Sequence, residues 1–139
     1  MVHALRRARQ HLKRDGALVC IQPHRIKRPF ISVAGHGHRW PVVSLINPAF
    51  QPLISSAEAA IETVVSEGLF VLIGTTNHQF RVRLRNPNQL DRYLHTGQRP
   101  PRFPAGGRRR LETLWKSRAA GAQIEVTEFM AIIALRAST

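Results

Sequence analysis

The longest uninterrupted apolar stretch in the chain is Phe129-Met-Ala-Ile-Ile-Ala-Leu135. That is strand length, well short of the roughly 18 residues a bilayer-spanning helix needs. The apolar residues therefore have to be buried in a core of short strands and amphipathic helices, not in lipid. A length of 139 residues fits one domain, and a hydrophobic content of 43% supports a real core and argues against wholesale disorder. The start, Met1-Val-His-Ala-Leu-Arg-Arg7, has no apolar h-region, so no signal peptide is expected.

The single cysteine, Cys20, excludes an internal disulfide and a cysteine-cluster zinc site, and it fits a reducing, cytoplasmic setting. It sits inside an apolar run, where a cysteine behaves as a small hydrophobe. His36 and His38 lie two apart among glycines with no second ligand pair at metal spacing, so they read as a loop and not a metal site. The net charge is +13, from 21 Lys and Arg against 8 Asp and Glu. Such a balance points towards anionic partners, nucleic acid among them. The basic residues are spread over all segments, however, which is also what a compositional bias produces. The acidic residues are scattered and form no carboxylate pair for acid–base chemistry.

Periodicity divides the chain. Val2, Leu5, Ala8 and Leu12 make one apolar stripe of a helix over 2–14, and Asp15-Gly16 supplies a turn. Ala17-Leu-Val-Cys-Ile21 is continuously apolar, as a strand buried on both faces of a parallel sheet would be. Residues 25–54 form an insert or hairpin, with Phe30–Val33 and Trp40–Leu45 as short strands around Gly35-His-Gly-His38 and turn chemistry at Asn47-Pro48 and Gln51-Pro52. Ser55 and Glu58 have capping-box spacing and start a helix that runs to Glu67. A long extended segment follows over 69–84. From His78 it alternates strictly, with Phe80, Val82 and Leu84 on one side and Gln79, Arg81, Arg83 and Arg85 on the other, the pattern of a half-exposed strand guarded by arginines. Asn86-Pro87 caps a short helix, 95–107 is a Pro/Gly-rich loop, Arg108–Ala119 is a further helix, and Gln123–Leu135 is the last strand.

Strands flanked by helices point to an α/β protein. No G-x-G-x-x-G turn, P-loop or G-x-S-x-G elbow is present. Gly106-Gly107-Arg-Arg-Arg110 matches a phosphate nest in composition and reads as a helix-start loop. His24, just past the carboxyl end of the 17–21 strand, stands where open α/β sheets gather ligands.

The segment Ala4-Leu-Arg-Arg-Ala-Arg-Gln-His-Leu-Lys-Arg-Asp-Gly-Ala-Leu-Val-Cys-Ile-Gln-Pro23 resembles class I S-adenosylmethionine-dependent methyltransferases, in which a helix ends in a Leu-Lys-Pro-Gly-Gly turn and feeds the fifth strand of a Rossmann-like sheet. Here the turn is Leu12-Lys-Arg-Asp-Gly16, with Arg14 and Asp15 in place of the proline and first glycine. The later elements follow the order of that family's last third, where the seventh strand inserts antiparallel between the fifth and sixth. The resemblance implies a single incomplete methyltransferase-like domain over 1–139, the C-terminal half of an α/β Rossmann-like fold with an inserted hairpin.

The family's glycine-rich cofactor turn and its ribose-binding acidic residue have no counterpart in the sequence. The resemblance therefore implies that this chain alone does not bind S-adenosylmethionine, and it leaves the catalytic residues unknown. It places substrate-side work on Gln22, His24, Arg25 and Trp40. It also implies a partner, either an N-terminal methyltransferase half or a second copy of the chain joined through an exposed sheet edge. Two other readings stay open: a small basic nucleic-acid-binding module, and a non-catalytic subunit that adds strands to another protein.

Overall fold

Val2, Leu5 and Leu12 recur at helical spacing. In a computed structural model of the chain, which describes residues 1–97 and 99–139, they pack from helix α1 (Val2–His11) and its cap into a core cluster. Gln98, inside the expected 95–107 loop, lies outside the described residues. The helix stops short of the expected Arg14. Leu12 turns extended at φ −86° and ψ 137°, and Asp15 takes φ 60° to swing the chain into β1 (Ala17–Pro23). Gly16 is required in this turn because a Cβ there would stand 2.9 Å from the Lys13 carbonyl oxygen.

The chain forms two compact units, one built from Met1–Arg25, Ala49–His78 and Met130–Thr139, the other from Ile26–Pro48 and Gln79–Phe129. Two long strands, β4 (Phe70–Leu84) and β5 (Gln123–Ala137), contribute residues to both. Five strands form one open sheet in a mixed α/β chain, with the path β1-β5-β2-β3 and β4 also paired to β5.

In the first unit, β1 pairs antiparallel with β5, from Ala17 opposite Arg136 to Pro23 opposite Met130. The Ser138 N–H donates to the Leu69 carbonyl at 3.1 Å, so the start of β4 meets the end of β5 and that pairing is antiparallel too. Strands β1 and β4 therefore run parallel to each other, with β5 reversed between them. Helix α2 (Phe50–Ser66) contacts α1, and Leu5, Ala60 and Val64 from these helices bury Phe70, Ile133 and Leu135.

Two expectations are corrected in this unit. The strand at 17–21 is neither paired in parallel nor buried on both faces. Leu18 and Cys20 pack towards the helices, while Val19 and Ile21 remain 55% and 63% exposed. A continuous apolar run does not report how many of its faces are covered, and here only one is. The helix expected from Ser55 begins instead at Phe50, so Ser55 and Glu58 lie inside it and form no capping box, and Gln51-Pro52 is helical, not a turn. Proline is tolerated in a first turn, where its missing N–H would lack an intrahelical partner anyway.

The second unit begins with the hairpin of β2 (Phe30–Gly35) and β3 (His38–Ser44). Its two-residue turn has His36 at φ 49° and Gly37 at φ 78°, the double positive φ of a type I′ hairpin. Val42 is an extra residue at a bulge opposite the Ile31–Ser32 step. Strand β2 pairs antiparallel with β5 from Phe30 opposite Thr127 to Ala34 opposite Gln123. Helix α3 (Pro87–Leu94) is capped as expected, its Asn86 side chain accepting the Gln89 N–H at 2.9 Å. Helix α4 (Gly107–Lys116) packs on β3 and β2. Ile31, Val33, Leu90, Leu111, Ile124 and Val126 form the centre of this core.

Candidate functional site

The sequence places Gln22 and His24 past the end of the 17–21 strand and Arg25 in the insert that follows; all three belong to the first unit. Gln22 and Pro23 line a small pocket of about 190 Å³ with Met1, Phe50, Leu53 and Ile54. Its lining is mostly aliphatic. Arg25 is committed to holding the strand end against α2. Its guanidinium donates to Glu58 at 3.3 Å, and its carbonyl accepts the Gln51 amide at 2.7 Å. His24 is half-buried in the bend that follows β1. Trp40, the fourth expected residue, belongs to the second unit, so the four do not form one constellation within either unit.

Cys20 is half-buried against the first unit's core, and burial pushes its thiol pKa up. Among the described residues, no group of three or more His, Cys, Asp and Glu is placed to hold a metal ion. His36 instead contacts the Ala120 carbonyl at 3.1 Å. Among the described residues, no helix is long and apolar enough to cross a membrane.

The second unit contains the charged side chains that the sequence left scattered. Glu125 of β5 is buried, and it accepts from Arg39 at 2.6 Å and Arg83 at 3.3 Å. The Arg39 guanidinium, more than that of Arg83, holds the Glu125 carboxyl below the ordinary carboxylate range, against the opposing pull of burial. One rung of the arginine ladder is therefore an internal ion pair, not a free anion contact. Tyr93 donates to Glu128 at 2.9 Å and ties α3 to β5, while burial pushes the Glu128 carboxyl up. Arg108 forks onto Asp91 and also reaches Glu112, and its hydrogen bonds lower the Asp91 pKa.

Trp40 is the shared wall of two grooves. One, of about 600 Å³, is lined by Trp40, Pro41, Gly106, Arg109, Arg110 and Leu114. The other, of about 260 Å³, joins Trp40 to Val33, Leu114, Ser117 and Arg118. The indole is 40% exposed, and the His38 ring lies 5.9 Å from it. Arg109 and Arg110 are exposed and have no ion pair among the described residues. The only acid on α4, Glu112, is already held by Arg108. Gly106, at φ 75°, starts the helix, and the Gly107 N–H donates to the Pro104 carbonyl, so this loop serves the helix start as the sequence indicated. The grouping of Trp40 with Arg109, Arg110 and Arg118 was not legible in sequence. Trp40 lies more than sixty residues from α4, and only the β3–α4 packing brings them together.

No family model, no curated protein and no solved structure matches this chain.

Proposed function

We propose that the first unit is the C-terminal portion of a class I methyltransferase-like sheet, contributing substrate-side structure to an enzyme whose cofactor half lies on other residues. One observation carries the reading: β5 lies reversed between β1 and β4, which run parallel to each other, with α1 leading into β1 and α2 into β4. A strand reversed between two parallel neighbours supports the reading, because the methyltransferase resemblance implies that order for the family's fifth, seventh and sixth strands. The two helices pack together on one face of these strands. On the opposite face Val19, Ile21, Val71 and Ile73 are all at least half exposed. Such a sheet carries helices on both sides in its complete form, so the missing helices are the occupant that would cover these side chains.

The chain's own residues do not fit S-adenosylmethionine. Among the described residues no glycine-rich turn joins a strand to a helix, and no strand is followed directly by a carboxylate. No chemical step is therefore assigned here. The chain's role in this reading is to complete the sheet and to present the end of β1, with Gln22 and His24, towards a methyl acceptor.

The test is photo-crosslinking of radiolabelled S-adenosylmethionine to the isolated chain and to the complex purified by affinity tag from cells that naturally make it. The reading predicts label in the complex, on a partner that carries the glycine-rich half, and none on the isolated chain. Saturable labelling of the isolated chain, or a purified native form that takes no label, would overturn it.

A further inference from the structure

We infer that the Trp40 groove of the second unit binds single-stranded nucleic acid, with an unpaired base against the indole and the flanking phosphates on Arg109 and Arg110. This does not rest on the methyltransferase reading, because every residue involved belongs to the second unit.

Three features of the groove select this ligand. A tryptophan held 40% exposed, and lining two grooves, is a platform on which a planar ring can lie. Base–aromatic stacking of this kind tolerates any base and requires one that is not already paired. The cations are placed beside that platform and not spread at random. Arg109 and Arg110 line the larger groove and Arg118 the smaller, and no carboxylate lines either. Helix α4 neutralises its own acid internally through Arg108 and Glu112, which leaves its outward arginines available to an external anion. The lining next to these charges is apolar, from Pro41, Val33 and Leu114. An acidic peptide would satisfy the arginines but would leave the indole and this apolar floor unused. A nucleotide strand satisfies both.

On β4, Arg83 of the arginine ladder is already engaged with Glu125. The groove is thus a more specific location than the net charge of +13 alone would indicate.

The experiment is a fluorescence-anisotropy titration of the full chain with a short labelled oligo(dT), repeated between about 50 and 200 mM salt. The wild type is expected to bind, and to weaken steeply as salt rises. Trp40→Ala is expected to weaken binding at fixed salt by about 5- to 150-fold, the value of one stacked base, while Trp40→Phe keeps most of the affinity. Arg109→Ala with Arg110→Ala, both at exposed positions, should flatten the salt dependence by about 1.4 in log–log slope, roughly 0.7 for each phosphate that is no longer neutralised. If Trp40→Ala disturbs folding, as circular dichroism would show, Trp40→Leu, which keeps apolar bulk but has no ring to stack on, takes its place and should weaken binding where Trp40→Phe does not. Absence of binding would overturn the inference. So would binding indifferent to both the tryptophan and the arginine variants, equal affinity for the matching duplex, or a stronger grip on poly-glutamate or phosphatidylserine vesicles than on oligo(dT).

Discussion

The two units use the same kinds of element to opposite effect. In the second, β2, β3 and β5 bury one side under α3 and α4, around a core in which Ile31, Leu90, Leu111, Ile124 and Val126 are completely enclosed. Its buried carboxylate, Glu125, is paired. In the first, α1 and α2 cover one face of three strands, and the reverse face presents Val19, Ile21, Val71 and Ile73 to water. Scattered exposed apolar residues are ordinary, whereas a row of them aligned on strands of one sheet is a candidate interaction surface. The contrast separates a unit whose apolar side chains are enclosed from one that leaves a row of them open on a sheet face.

The largest expected effects come from breaking each core separately. Phe70→Ala, in the first unit, should cost about 3–5 kcal/mol and Leu111→Ala, in the second, about 2–5 kcal/mol. Hydrogen exchange should speed up mainly in α1 and α2 for the former and in α3 and α4 for the latter. Equal loosening of both regions by either variant would remove the distinction between the units.

A smaller effect sharpens the account of the second unit. Glu125→Gln should cost about 1–2 kcal/mol at neutral pH. This is less than a fully buried charge-assisted pair would be worth, because both guanidinium partners are largely solvated. The folded carboxyl titrates below its ordinary value of 4.5. Its stabilisation is therefore complete above that pH and is lost as the pH falls through the lower folded value. Thermal melts should show the wild-type advantage over the glutamine variant narrowing below about pH 4.5. Glu128, raised by burial, works in the opposite sense and is common to both proteins, so their difference isolates Glu125. Asn86→Ala comes next, at about 1 kcal/mol for the lost cap of α3, measurable by urea denaturation. Smallest of all, Val19→Lys with Ile21→Lys should change stability by no more than about 0.5 kcal/mol per site, because neither side chain is in the core.

The parts of this fold legible in sequence were those set by local chemistry. The Asn86-Pro87 cap and the Gly35–His38 hairpin both report themselves through neighbouring residues, whereas the alternation from His78 is met only at its end, where Val82 and Leu84 turn inwards while Phe80 stays 39% exposed. What escaped was set by contacts distant in sequence. Ser55 and Glu58 have the spacing of a helix start, yet the packing of Ile54 and the aliphatic pocket at Phe50 and Leu53 extends α2 one turn earlier. Ala17–Ile21 reads as doubly buried because composition cannot show that only one face is covered. The candidate site was legible only in part. Trp40 was identifiable as a residue of interest, but the arginines it meets were hidden by the length of chain between β3 and α4. Arg25, expected to work with Trp40 from the insert, falls in the first unit with Gln22 and His24, where it braces α2.

The uncovered face of the first unit is the most directly testable part of this account. Sedimentation velocity over a concentration series at moderate salt, where the +13 charge is screened, compares the wild type with the Val19→Lys, Ile21→Lys variant. If that face is built to be covered, the wild type associates as its concentration rises and the variant stays monomeric and folded. A wild type that remains monomeric throughout, indistinguishable from the variant, would contradict the claim that this half of the molecule is incomplete by itself.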